Sequence, residues 1–112
     1  MHQSTAIRRL IPAATVLAAL ALPAFTTAAN AETGIASYYK GRGHGGMTCA
    51  HKTAPFGTRF KVTRLDGRGS IVCVVNDRGP YGKGFIIDVS ISAARALGII
   101  RSGITRVTIE RV

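Results

Sequence analysis

Tryptophan is absent from this 112-residue chain, only five residues are acidic against fifteen Lys and Arg, and cysteine occurs just twice. Each shortage excludes something. Two cysteines are too few for a multi-disulfide scaffold or a four-thiolate zinc site. Five carboxylates reduce any acid–base chemistry to a short list of candidates, Glu32, Asp66, Asp77, Asp88 and Glu110. Without tryptophan, an aromatic ligand platform must come from tyrosine or phenylalanine. No G-x-S-x-G run and no phosphate-cradling glycine motif is present, which argues against a serine hydrolase or a nucleotide enzyme. There is no low-complexity linker and no internal repeat.

One long apolar run does occur, from Leu10 to Phe25, preceded by Arg8 and Arg9 and followed by Ala29-Asn30-Ala31. That order is a signal-peptide layout, and we place cleavage after Ala31. Pro12 and Pro23 interrupt the run, so a retained membrane anchor is not expected. The absence of a cysteine just after it argues against a lipid-anchored form. The mature part, residues 32–112, has room for one domain. Removing Arg8 and Arg9 leaves thirteen Lys and Arg against five Asp and Glu, a net charge of +8. Such a domain seeks anionic partners, and export points to wall carboxylates and envelope glycolipids rather than nucleic acid. The basic residues are scattered, so solvating the surface is an equally good account of many of them.

From Gly34 onward short apolar stretches alternate with glycine-rich turns, the signature of a mostly β chain. Strands are expected over Ile35 to Tyr39, Arg59 to Leu65, Ser70 to Val75, Phe85 to Val89 and Thr105 to Arg111. Asp66-Gly67 should turn a hairpin between the second and third of these. Lys40 to Met47, with four glycines, and residues 76–84 read as loops, and Pro55-Phe56-Gly57 as a turn. Ser90 is a plausible N-cap for a short helix over Ile91 to Leu97, stopped by Gly98. So many short strands in so small a domain point to a closed barrel, which leaves no exposed edges. Cys49 and Cys73, both in the mature part, would meet an oxidising compartment, and we expect them to pair. The alternatives are two free thiols or a metal site from His44, Cys49, His51 and Cys73, and the latter matches no standard zinc spacing. No metal or cofactor is expected.

Elimination narrows the carboxylates. Glu32 stands at the expected new terminus and should fray, Asp66 belongs to its turn, and Glu110 lies on the solvent face of the last strand. Asp88 ends an apolar strand just before the helix cap and reads as a structural acceptor for backbone N–H groups. Asp77 leaves a buried strand and enters a loop rich in glycine and proline. There it can serve as a general acid or base, or simply pin the turn; low dielectric favours its neutral form and Arg78 its charged one. His51 can orient a carboxylate or donate to a sugar oxygen, or be structural. Tyr38 or Tyr39, with Tyr81, can form a sugar-stacking surface, while for Phe56, Phe60 and Phe85 packing in the barrel is at least as good a reading.

Four segments occur in order: Gly34-Ile35-Ala36-Ser37-Tyr38-Tyr39, Ala50-His51-Lys52-Thr53-Ala54-Pro55-Phe56-Gly57-Thr58, Val75-Asn76-Asp77-Arg78-Gly79-Pro80-Tyr81 and Ile87-Asp88-Val89-Ser90. Together they resemble the rare lipoprotein A family across nearly all of the mature part. The resemblance implies a six-stranded double-psi β-barrel with one short helix, a fold shared with expansin, and an endolytic lytic transglycosylase acting on peptidoglycan glycan strands. It places the family's catalytic aspartate on Asp77 and its histidine on His51. Tyr81, Arg78, Tyr39 and His44 are the expected substrate contacts, and the expected state is a monomer. The sequence departs from the family pattern in lacking a Thr-Ala-x-Gly-Glu run between His44-Gly45 and Met47, and with it a glutamate. That loss weighs against a two-carboxylate hydrolase. It also leaves open a barrel that binds glycan without cutting it.

Overall fold

The computed structural model describes residues 31–40 and 45–112. The expected signal sequence through Asn30, and His44, lie outside the described residues. Among the described residues six strands and one short helix follow one another as β1 (Glu32–Tyr39), β2 (Thr48–Ala50), β3 (Arg59–Arg64), β4 (Ser70–Asp77), β5 (Phe85–Ser90), α1 (Ile91–Leu97) and β6 (Ile104–Arg111). The strands close into a barrel in the order β1-β5-β2-β4-β3-β6. The β1–β5 and β2–β4 pairs are parallel and the remaining four are antiparallel.

Period-two alternation builds the core. Phe60 and Val62 of β3, Ile71, Cys73 and Val75 of β4, Ile87 and Val89 of β5, and Val107 and Ile109 of β6 all point inward and are buried. Leu97 and Ile99 close one side, with Ala93 and Ala94 of α1 packed against the same cluster. The expected hairpin forms between β3 and β4, Phe60 lying opposite Cys73. Asp66 in its turn accepts from the Arg68 amide at 3.0 Å and pairs with the Arg64 guanidinium.

Ser90 caps α1 by accepting from the Ala93 amide, and Gly98 ends it in the left-handed region at φ 78°. The same Ser90 hydroxyl donates to Gly46 O at 3.0 Å and accepts from the Thr48 amide, so the helix cap also fixes where β2 begins. Arg64 donates to Leu97 O and Gly98 O, placing a cation on the carbonyl end of α1. Cys49 and Cys73 form a disulfide between β2 and β4, with Cα atoms 5.8 Å apart.

Two expectations need correction, and one strand was not foreseen. Glu32 does not fray: β6 is long enough to offer Ile109 as its partner, so β1 starts there. Residues 48–50 are a strand, made by the two longer strands on either side rather than by any pattern of their own. β4 runs on through Asn76 to Asp77, so Asp77 sits at a strand end and not in the loop.

Candidate functional site

Barrel closure sets four residues in one cross-strand row. Ser37 of β1 is in register with Asp88 of β5, Asp88 with Ala50 of β2, and Ala50 with Asp77 of β4. Both half-buried aspartates thus flank Ala50. Asp88 accepts the Ser37 hydroxyl at 2.6 Å, so its partner is a side chain and not the backbone amides expected of it. Asp77 accepts from the Arg78 amide at 2.8 Å through Oδ1, and its backbone carbonyl takes the His51 amide at 3.2 Å. Next to it, Tyr39 donates its hydroxyl to Asn76 Oδ1 at 3.3 Å. Tyr38 is instead tied by its hydroxyl to Ile100 O, which leaves Tyr39 as the tyrosine of β1 in contact with the Asn76–Asp77 end of β4.

The segment after β2 folds back on the same end of β4. Gly57 donates to Val75 O at 2.8 Å, and the Thr58 hydroxyl closes the Pro55–Thr58 turn at 2.7 Å. His51 is buried there with its ring 4.9 Å from that of Phe60. Two backbone N–H groups, from Thr53 and Ala54, aim at Nδ1 at 3.2 and 3.0 Å. That makes Nδ1 an acceptor and puts the ring proton on Nε2, which lies 2.7 Å from Glu32 Oε1. Both ring nitrogens therefore have protein partners.

Arg78 reaches back over this segment, donating from Nη1 to Ala54 O at 2.7 Å and His51 O at 3.3 Å. Its guanidinium lies 4.5 Å from the centre of the Phe56 ring, a stacked cation–π arrangement. Phe56 is 60% exposed and Tyr81 76% exposed. Of the two placements open to Phe56, the structure takes the surface one; the turn that carries it projects outward. Phe60 is in the core as expected, and Phe85 is half-buried. Asp77 is consequently bordered by the backbone of a buried histidine and by an arginine held over a phenyl ring. The disulfide consumes both thiols of the alternative metal set, and both nitrogens of His51 are engaged, so those residues do not form a metal centre.

Sequence reasoning missed Glu32 and Phe56. The available signal for Phe56 was its place between Pro55 and Gly57, where a turn lifts the chain off the barrel. No local signal marked Glu32, because its contact with His51 arises from closure of the barrel.

A family model for lytic transglycolase matches residues 31–109. A Synechocystis protein named probable endolytic peptidoglycan transglycosylase RlpA is 38% identical, the match covering 100% of this chain and 42% of that protein. The endolytic peptidoglycan transglycosylase RlpA of Pseudomonas aeruginosa is 37% identical, with 88% of this chain and 32% of that protein covered. The chain thus spans less than half the length of these relatives. Among solved structures, the apo expansin of Clavibacter michiganensis superposes with a TM-score of 0.61 at 25% identity, over 73% of this chain and 50% of that one. With the closed mixed barrel and its single short helix, these matches place the chain in the lytic transglycolase family as an RlpA-like double-psi β-barrel domain.

Proposed function

We propose that this domain is an exported endolytic lytic transglycosylase that cleaves peptidoglycan glycan strands and leaves 1,6-anhydro-muramic acid ends. The observation that carries the reading is Asp77, fixed at the end of β4 by the His51 and Arg78 amides and next to Arg78, whose guanidinium is stacked on exposed Phe56. The relatives named endolytic peptidoglycan transglycosylase support it.

The chemistry needs one carboxyl group working twice. Asp77 gives its proton to the glycosidic oxygen as the bond from the anomeric carbon to that oxygen breaks. The carboxylate then takes the proton of the muramic 6-hydroxyl as that oxygen bonds to the same carbon. No water is consumed and Asp77 ends as it began, protonated. Exposed Tyr81 and Phe56 offer apolar faces to sugar rings, and Arg78, with Tyr39 nearby, suits the lactyl carboxylates and hydroxyls of the strand. His51 contributes by placement: its amide and carbonyl hold Asp77 and Arg78, while its ring is tied on both sides. Signal-peptide removal after Ala31 delivers the domain, with its net charge of +8, to the anionic wall, where it works as a monomer without a stable membrane anchor.

Incubating the protein and an Asp77→Asn variant with peptidoglycan and with amidase-stripped strands, followed by mass spectrometry, tests this. Anhydro products from the parent and none from the variant are expected. Retained sedimentation on strands with no product from either would make the domain a glycan-binding barrel.

A further inference from the structure

We infer that Glu32 is a positioning residue of this site, acting through the His51 ring on the backbone that carries Asp77 and Arg78; in its catalytic consequence the inference rests on the transglycosylase reading above. The contact is specific. With Nδ1 occupied by the Thr53 and Ala54 amides, the only hydrogen that His51 can offer is on Nε2, and Glu32 Oε1 lies 2.7 Å from it. The ring cannot flip without losing both sets of bonds, because a flipped imidazole would face the two amides with a carbon or a competing N–H.

What the ring holds matters for the site. The backbone amide of His51 donates to Asp77 O, and its carbonyl accepts from Arg78. Thr53 and Ala54, anchored on the ring, lead to the Ala54 carbonyl that accepts from Arg78 at 2.7 Å. Glu32 is thus two contacts removed from the acid–base group and one from the arginine's anchor segment. It enters from β1, on the opposite side of the His51 ring from the Thr53–Ala54 turn. Among the described residues it is the carboxylate that reaches this histidine, in a chain that lacks the glutamate run of its family resemblance. Its side chain is about half exposed (48%) while that of His51 is 8% exposed, so the pair is open to solvent on the carboxylate side only. The exposed carboxylate is a modest contributor to global stability, and the value of the contact lies in aiming the ring.

The test compares Glu32→Ala and Glu32→Gln with the parent. In the parent, imidazole NMR should show His51 with its proton on Nε2, shielded from solvent exchange. Glu32→Ala should lose that protection, shift the Asp77 and Arg78 amide resonances and leave those of Leu97 in place. It should also lower kcat about 10- to 100-fold with KM nearly unchanged, the scale expected when a reacting group is misplaced by a fraction of an ångström. Glu32→Gln keeps an acceptor oxygen and should restore most of both signals. Parental kcat in Glu32→Ala, or unmoved Asp77 and Arg78 amides, would overturn the inference. A melting-temperature loss above about 10 °C in both variants would also overturn it, marking Glu32 as a folding brace. If the parent itself makes no anhydro product, the transglycosylase reading fails. The amide shifts then decide the positioning role alone.

Discussion

Removing the Cys49–Cys73 bridge should cost this domain a large part of its stability, and the size follows from the chain. The bridged residues are 24 apart in sequence. Constraining a loop of that length in the unfolded ensemble corresponds to about 3.5 kcal/mol in the chain-entropy model. Both residues are fully buried, so replacing them by alanine also leaves small voids at the sulfur positions, adding on the order of 1 kcal/mol. For a domain of roughly 80 residues each kcal/mol moves the melting temperature by about 4–8 °C, so the double Cys49→Ala, Cys73→Ala variant should melt roughly 18–36 °C below the parent. The loss should concentrate first in β2, which is three residues long and owes its place to neighbours on both sides and to this bridge. Calorimetry on the parent, the two single variants and the double variant measures it. Each single variant already breaks the bridge, so either should lose nearly as much as the double. A drop below about 5 °C in the double variant, or singles whose losses add up to that of the double, would refute the account.

Two further outcomes follow from side-chain geometry. Arg78→Lys keeps the charge but cannot span the Ala54 and His51 carbonyls while lying flat over Phe56, so turnover on stripped strands should fall about tenfold. Because Arg78 is exposed, its melting temperature should change by no more than about 5 °C. At the β3–β4 hairpin, the hydrogen bond from the Arg64 side chain and that from the Arg68 amide hold the Asp66 carboxyl below its ordinary value of 3.8. A depressed folded value means that the contribution is complete above the ordinary value and fades as pH falls through the folded one. Melting curves of parent and Asp66→Asn should therefore differ by a constant amount from pH 7 to about 5, begin to approach each other below about 4 and meet once the pH is under the folded value. A gap that persists into stronger acid would contradict this.

Much of the barrel was legible because its strands advertise themselves. Phe60 and Val62, and Val107 and Ile109, alternate with polar positions, Ser70 to Val75 is a continuous β-branched run, and Asp66-Gly67, Ser90 and Gly98 mark turn, cap and stop. β2 was not legible, since Thr48-Cys49-Ala50 carries no periodicity long enough to read and becomes a strand only between β4 and β5. Asp77 emerged by elimination and by resemblance together, and its neighbours Arg78 and Tyr81 came with it. Glu32 was discarded because a chain end with no local partner should fray. That reasoning fails wherever a distant strand such as β6 extends far enough to hold the end. Hydrophobicity alone left Phe56 open between core and surface; the turn that carries it is strapped to β4 through Gly57 and leaves the ring outside.

The register of the barrel also bears on which reaction the site can support. Asp77 and Asp88 lie on either side of Ala50, two strand spacings apart, which separates their backbones by about 10 Å. A covalent retaining hydrolase needs its two carboxyl groups about 5–5.5 Å apart, and an inverting one about 6.5–9.5 Å with both free to act on substrate and water. Asp88 is drawn the wrong way for either. Its Oδ1 is held at 2.6 Å by the Ser37 hydroxyl on β1, the neighbour of β5 on the side away from Asp77. Glu32 is occupied with His51, and Asp66 and Glu110 belong to a turn and to the outer face of β6. Of the five carboxylates, Asp77 alone combines a fixed backbone with an adjacent exposed arginine that is stacked on a phenyl ring. A site with one such group favours a reaction in which the substrate provides its own nucleophile and a single carboxyl group carries the proton both ways. Intramolecular attack by a muramic 6-hydroxyl has that form.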